Sequence, residues 1–224
     1  YSDITAIQMA ILKETDLKPI YGGNLVSTFG EYEGISDFLK NILDNLFLKK
    51  SYPLEEPIFY SNKFLNAFTD EWKVKKREYI KNEGWLVLNE GEVKAKVIIA
   101  NIDTLVSLLG TKYIPSFDSK ILILEEMNAN IDLEERNLNT LKMSGIFEKL
   151  EGLIFSKPEL YDEKNSNFKY IDIIKEVLGE RKYPIIYNFD CGHTVPSLII
   201  SQDSLLSLQA NKKEGVFLKI IDNS

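Results

Sequence analysis

Few side chains could transfer a proton near neutral pH, because the chain contains a single histidine, His193. The unperturbed pKa of an imidazole lies near neutrality, so His193 is the first candidate for a general base. It follows an apolar run, residues 183–187, that is typical of a buried strand, and Gly192 suits a tight loop at the carboxyl end of that strand. Open α/β sheets place their sites at such ends, although a surface or capping histidine is the alternative.

Two more residues could complete a nucleophilic site with this histidine. Ser2 precedes an apolar pattern at helical spacing, so it is either a helix N-cap or the serine of a nucleophile elbow, a strained turn between a strand and a helix. Glu125 directly follows the apolar run 121–124, which predicts a second buried strand. A serine, a carboxylate and an imidazole can act as nucleophile, orienting group and base. Their order alone does not identify a triad, because the chain has 34 acidic residues.

The elements that would position these residues alternate between helices and strands, which is typical of an α/β fold. Asp132 and Glu135 have the spacing of a capping box for the helix that follows them. A short turn at residues 89–91 joins two of the predicted strands. Strands are predicted at 18–21, 85–88, 93–100, 121–124, 153–155, 183–187, 197–200, 205–208 and 216–221, and helices at 4–11, 35–48, 101–109, 132–142 and 171–178.

A segment without regular hydrophobic periodicity divides the chain. Residues 49–83 contain prolines and mixed charge that interrupt any steady period, so we interpret them as a linker between residues 1–48 and residues 84–224. Trp72 lies in this linker and could either pack at the domain junction or line a substrate cleft.

Composition excludes several classes of protein. Of the 224 residues, 44% are hydrophobic and 27% are charged, which is ordinary for a soluble globular protein. The net charge of -7 disfavours a general nucleic-acid binder, and no apolar run reaches transmembrane length. A single cysteine, Cys191, rules out an internal disulfide and fits a reducing compartment, so we expect a cytoplasmic protein.

Several motifs together resemble those of the LD-carboxypeptidase family of serine peptidases, in order and spacing along nearly the whole chain. They are residues 1–5, 110–115, 121–126, 189–194 and Arg136. The resemblance implies a Ser-Glu-His triad in which Ser2 is the nucleophile, Glu125 rather than Glu126 is the acid, and His193 is the base. It further implies that the backbone N–H of Asp3 forms half of the oxyanion hole, and that no metal or cofactor is needed.

Within that family, residues 155–159 and the linker look more like the microcin C immunity peptidases than the peptidoglycan-recycling carboxypeptidases. This branch implies that Glu159 contacts the substrate's amino group and that Trp72 stacks on a nucleotide, while the alternative for Glu159 is a solvated loop acid. The expected partner is a peptide-like small-molecule substrate, namely a microcin C-like peptide-nucleotide or a related aminoacyl amide. The protein itself is expected to be a homodimer. A muramoyltetrapeptide carboxypeptidase and a catalytically silent binding or assembly module are the alternatives.

The sequence also differs from the pattern of this family. Family members have further residues upstream of Tyr1, which implies that residues 1–48 are the closing part of a flavodoxin/Rossmann-like N-terminal domain and that residues 84–224 form a smaller α/β domain with a mixed sheet. Residues 99–102 and Pro158 differ from the family pattern. Without an upstream strand and its oxyanion donor, we expect residues 84–224 to fold stably, residues 1–48 to be less ordered, and turnover to be low.

Overall fold

The computed structural model describes residues 1–26, 28–30, 32–63, 65 and 69–223. Its helices are α1 (Ile4–Glu14), α2 (Asp37–Leu48), α3 (Glu71–Val74), α4 (Ile102–Leu108), α5 (Ile131–Met143) and α6 (Tyr170–Leu178). Its strands are β1 (Ile20–Tyr21), β2 (Tyr52–Leu54), β3 (Phe59–Tyr60), β4 (Ile80–Lys81), β5 (Leu86–Asn89), β6 (Gly91–Asn101), β7 (Lys120–Glu125), β8 (Gly152–Ser156), β9 (Ile185–Phe189), β10 (Ile200–Ser201), β11 (Leu205–Asn211) and β12 (Gly215–Asp222).

Eight of these strands form one mixed sheet in the order β2-β12-β11-β6-β7-β8-β9-β5. The four central strands, β6 to β9, are parallel, and the strands on either side of them are antiparallel. The α/β class and the mixed sheet predicted from the sequence are therefore confirmed. Because parallel neighbours end at the same edge of a sheet, residues that follow β6, β7, β8 and β9 are brought together there.

The central strands are buried on both faces, which explains their continuous apolar sequences. Alternate residues point to opposite faces, so Ile121 and Ile123 belong to one core while Leu122 and Leu124 belong to the other. The second core includes apolar residues of α4, α5 and α6. Helix α6 contributes residues at the i, i+3, i+4 spacing of an amphipathic helix, namely Tyr170, Ile173, Ile174, Val177 and Leu178.

Helices α1 and α2 lie against this sheet. Met9 of α1 is fully buried in the same core as Ile98 and Ala100 of β6, and α2 contributes its apolar face to the opposite core. Strand β1 pairs with β10 in a separate two-stranded sheet. In the described part of the chain, no helix has the length and apolar character needed to cross a membrane.

The segment expected to be a linker contributes regular elements. Within residues 49–83, β2 is the edge strand of the main sheet and pairs with β12, and β3 pairs with β4. Tyr52 and Leu54 of β2 are buried in the core. The proposed division at residues 48 and 84 stays a prediction.

The short turn predicted at residues 89–91 joins β5 to β6. The two strands do not pair with each other, since β5 pairs with β9 while β6 pairs with β7 and β11. Two expectations for the start of a helix were wrong. The capping box at Asp132 is not formed, because the side chain of Asn130 caps α5 by accepting a hydrogen bond from the Leu133 N–H. Ser2 is not the N-cap of α1; Asp3 occupies that position without a side-chain cap.

Candidate active site

Glu125 and His193 are in direct contact at the carboxyl edge of the parallel strands. Glu125 is the last residue of β7, and His193 lies four residues beyond the end of β9. The Glu125 Oε2 atom is 2.6 Å from the His193 Nδ1 atom, and the two side chains are 0% and 6% exposed. The imidazole ring is nearly enclosed, so His193 is not a surface histidine. The ring of Tyr1 stands edge-on to it at a centroid distance of 4.5 Å.

The contact depends on a close approach of the backbone. Gly192 has a φ of +110°, and a Cβ atom added there would lie 2.5 Å from the Glu125 Oε2 atom. A glycine is therefore needed at this position both for its conformation and for the space it leaves to the carboxylate. The interpretation of Gly192 as part of a tight loop is in agreement with this geometry.

The charges of the two side chains support each other. Burial alone would raise the pKa of Glu125, but the charge of His193 and hydrogen bonds from His193, Tyr21 and Asn101 lower it below its usual value. Burial opposes a charged imidazole, yet the neighbouring Glu125 raises the pKa of His193 above its usual value, with smaller contributions from Glu159 and Glu126. The pair is therefore held as carboxylate and imidazolium at mildly acidic pH, and as carboxylate and neutral imidazole at higher pH.

Two buried hydroxyl groups that the sequence did not single out lie behind the carboxylate. The Tyr21 hydroxyl donates to the Glu125 Oε1 atom at 2.7 Å, and it lies 3.2 Å from the Thr5 hydroxyl. Both residues are fully buried. No sequence signal marks Tyr21, because it is one of 11 tyrosines and lies 104 residues from Glu125 along the chain.

Ser2 lies in a strained turn at the start of α1. Its φ of +59° is unusual for a residue other than glycine, and its carbonyl oxygen accepts a hydrogen bond from the Thr5 N–H at 2.8 Å. The side chain of the preceding residue, Tyr1, contacts the ring of His193. Among the described residues, no hydrogen bond joins the Ser2 hydroxyl to His193. Such bonds are often formed only when substrate is bound.

A cavity of about 520 Å³ opens beside this turn. Its lining includes Ser2, Asp3, Asn101 and Glu126. The role of the Asp3 N–H in an oxyanion hole stays a prediction.

Glu126 points away from the contact between Glu125 and His193. Its carboxylate accepts hydrogen bonds from the Asn101 side chain and from the backbone N–H groups of Asp103 and Met127, at 2.8–3.1 Å. Burial raises the pKa of Glu126 to about 7. Consecutive strand residues point to opposite faces, so only Glu125 is directed towards His193.

Glu159 lies in the loop after β8 and is 3% exposed, so it is not a solvated loop acid. Its backbone is bridged to the loop after β7 through Met127 and Asn128. Burial raises the pKa of Glu159 to about 7, while the charges of His193 and Arg77 act in the opposite direction. The carboxyl group is therefore buried within the electrostatic range of His193.

Trp72 lies on the short helix α3 and is half-buried. Its carbonyl oxygen accepts a hydrogen bond from the Tyr32 N–H at 2.9 Å, and a Cβ atom added to Gly30 would lie 3.2 Å from its ring. The indole therefore lies next to Gly30, while the backbone of Trp72 is bonded to Tyr32. The stacking of the Trp72 indole on a nucleotide stays a prediction.

A buried ion pair supports the loop that carries His193. The Lys157 Nζ atom is 2.6 Å from Asp190 Oδ1, and Asp190 Oδ2 accepts a hydrogen bond from the Trp85 indole at 2.8 Å. The same lysine donates to the Asn188 carbonyl at 2.6 Å. This ion pair joins the loop after β8 to the end of β9.

The residues present do not suggest a metal site. Within the described ranges, no group of three or more histidine, cysteine, aspartate or glutamate side chains is arranged to hold a metal ion.

Comparison with known proteins gives a consistent set of relatives. Residues 94–207 match the family described as the LD-carboxypeptidase C-terminal domain. A Vibrio cholerae protein with a provisional carboxypeptidase name is 30% identical over 205 residues, which are 89% of this chain and 59% of that protein. The microcin C7 self-immunity protein MccF of Escherichia coli is 28% identical over 217 residues, 95% of this chain and 62% of that protein. The chain thus spans about three fifths of the length of these relatives.

Solved structures agree with these matches. A tryptophan-to-phenylalanine mutant of MccF in complex with adenosine monophosphate has a TM-score of 0.86 and 26% identity, over 97% of this chain and 65% of that one. MccF has also been solved with aspartyl sulfamoyl adenosine, with a TM-score of 0.84 and the same identity and coverage. The muramoyltetrapeptide carboxypeptidase of Oxalobacter formigenes has a TM-score of 0.77 over 99% of this chain and 67% of that one. Its identity is 18%, so this likeness shows the fold alone.

Proposed function

The chain belongs to the LD-carboxypeptidase family, and on that premise we propose that Ser2, Glu125 and His193 form the catalytic triad of a serine carboxypeptidase. The observation that carries the proposal is the 2.6 Å contact between Glu125 and His193 at the carboxyl edge of the parallel strands. The strained turn at Ser2, one residue from the Tyr1 ring that contacts His193, supports the assignment of the nucleophile.

The proposed mechanism follows from the atoms that face each other. Glu125 accepts a hydrogen bond from the Nδ1–H group of His193, which leaves Nε2 unprotonated and able to take the proton of the Ser2 hydroxyl. The Ser2 oxygen attacks the amide carbon, and the Asp3 N–H stabilises the negative charge on the carbonyl oxygen. His193 then protonates the leaving amine. In the second half, it activates the water molecule that hydrolyses the acyl-enzyme.

For the substrate, we propose an aminoacyl nucleotide amide, as in a microcin C-like peptide-nucleotide. The complexes of MccF with adenosine monophosphate and aspartyl sulfamoyl adenosine support this class of substrate. Glu159 would bind the ammonium group of the aminoacyl part, because a nearby cation stabilises the charged form of a buried carboxylate. Trp72 would stack on the nucleotide base.

A direct assay tests the proposal against its alternatives. The protein is incubated with an aminoacyl adenosine phosphoramidate and with a muropeptide tetrapeptide, with Ser2→Ala as the control. We expect release of the amino acid from the nucleotide amide and no release by the variant. Preferential release of D-alanine from the tetrapeptide would indicate the muramoyltetrapeptide activity. Cleavage of neither substrate would favour a silent binding module.

A further inference from the structure

A continuous set of hydrogen bonds connects the first turn of α1 with the carboxylate of Glu125. The Asn101 N–H donates to the Thr5 hydroxyl oxygen at 3.1 Å. The Thr5 hydroxyl lies 3.2 Å from the Tyr21 hydroxyl, which donates to the Glu125 Oε1 atom at 2.7 Å. The other carboxylate oxygen, Oε2, is the one that contacts His193.

The direction of these bonds is fixed by the protons that are available. An ionised carboxylate can only accept, so the single hydroxyl proton of Tyr21 is used on Glu125. The bond between the two hydroxyl groups must then use the proton of Thr5, whose oxygen is free to accept from Asn101. Burial, together with the charge of Glu125, raises the pKa of Tyr21 well above its usual value, so the phenol keeps its proton.

Thr5 is tied to the serine turn as well. Its N–H donates to the Ser2 carbonyl oxygen at 2.8 Å, so one residue is bonded to the turn that carries Ser2 and, through Tyr21, to the acid. Neighbouring contacts hold the same elements together. Gln8 of α1 donates to the Ile20 carbonyl at 2.9 Å, and Gln202 donates to the Gln8 side chain at 2.9 Å.

We propose that Thr5 and Tyr21 are positioning residues that fix the orientation of Glu125, and through it that of His193, relative to the Ser2 turn. The inference rests on the proposed function in its assignment of the triad, and it names two residues that complete that site. A fully buried carboxylate needs donors on both oxygens, and Tyr21 is the donor on the oxygen that faces away from His193.

Removal of the Tyr21 hydroxyl should change the pKa of His193 in a defined direction. The Tyr21 hydroxyl withdraws negative charge from Glu125, so its removal leaves a carboxylate that holds the imidazole proton more tightly and raises the pKa of His193. The charged or titratable groups that act on His193 include Glu125, Glu159 and Glu126. Those that act on Glu125 include His193, Tyr21, Glu126, Glu159 and Cys191. None of these except Tyr21 is changed in the test.

The test uses the titration of the imidazole, measured by NMR on the full chain. Because His193 is the only histidine, its ring signals need no separate assignment. We expect Tyr21→Phe to raise the pKa of His193 and to lower kcat about 10- to 100-fold with little change in KM, as for the loss of a hydrogen bond to a charged group. Thr5→Val should shift the titration in the same direction, and Thr5→Ser, which keeps the hydroxyl, should restore the wild-type curve.

Tyr52→Phe is the matched control. Tyr52 is also buried, and its hydroxyl has no hydrogen-bond partner among the described residues, so its removal should leave the His193 titration unchanged. A folded Tyr21→Phe protein with a wild-type titration curve would overturn the inference. If Tyr21→Phe does not fold, equal curves for Thr5→Val and Thr5→Ser would overturn it. A wild-type protein that cleaves neither substrate, but whose titration responds to Tyr21→Phe, would contradict the proposed function and support the positioning role.

Discussion

At the scale of the residue, the two adjacent acids at the end of β7 face different surroundings. Glu125→Gln should lower the acylation rate about a thousandfold or more, because an amide cannot hold the imidazole in the required tautomer. Glu126→Gln should have a much smaller effect, since Glu126 is directed towards the backbone of Asp103 and Met127. Single-turnover kinetics on both variants measure the difference. Equal losses would remove Glu125 from the proposed triad.

Glu159 provides a test of substrate binding. If its buried carboxylate binds an ammonium group, Glu159→Ala should raise KM about 10- to 100-fold for substrates with a free amino group, which is the size expected for a charge-assisted hydrogen bond. Substrates with an acetylated amino group should respond little. Steady-state kinetics on matched free and acetylated substrates decide the question, and a similar rise for both would show that Glu159 has a structural role.

Only part of this site could be predicted from the sequence. His193 and Glu125 could be predicted as neighbours because both follow apolar runs typical of parallel strands, which end at one edge of a sheet. Tyr21 and Thr5 could not be found in this way. They reach Glu125 from a short strand and from a helix, and nothing in a tyrosine or a threonine shows which buried acceptor it will meet.

At the scale of the element, the start of α5 distinguishes two candidate caps. Asn130→Ala should lower the free energy of unfolding by about 1 kcal/mol, because it removes the acceptor for the Leu133 N–H. Asp132→Ala should cost less, since the ion pair of Asp132 with Lys164 is exposed. Urea denaturation of the two variants gives both values. A larger loss for Asp132→Ala would favour the capping box that the sequence suggested.

Elements were predictable where local sequence determines them. The sequence predicts strand β7 with nearly its observed bounds, because a strand buried on both faces is apolar throughout. The partner of β5 could not be predicted, because the strand that follows it directly, β6, is not the one it pairs with. Its actual partner, β9, is separated from it by about a hundred residues. Such pairing is decided by burial in the whole sheet and leaves no local signal.

At the scale of the whole molecule, buried acids should make stability depend on pH. Burial raises the pKa of Glu126 and Glu159 to about 7 and that of Glu134 to about 8, from an ordinary value of 4.5. The folded state therefore binds more protons than the unfolded state between these values, and the free energy of unfolding should fall as pH rises from about 5 to about 8. Sequence alone could not reveal this, because these residues are three among 34 acids.

Denaturation at several pH values, with Glu134→Gln, measures this effect. The variant should lose less stability than the wild type between about pH 5 and about pH 8, because it has no proton to release from that site. Glu135→Gln is the control, since Glu135 is the exposed neighbour on the same helix. A wild-type free energy of unfolding that rises over this range would show that these acids are not buried as the structure has them.

The central claim is that Ser2 is activated by a His193 held by Glu125, and covalent labelling tests it most directly. The protein is treated with a fluorophosphonate across a range of pH, and the modified residue is located by mass spectrometry. We expect the label on Ser2, at a rate that rises with pH through a pKa above the ordinary 6.5 of a histidine and that falls sharply in His193→Ala and Glu125→Gln. Labelling of another residue, or labelling of Ser2 at the same rate in all three proteins, would contradict the claim.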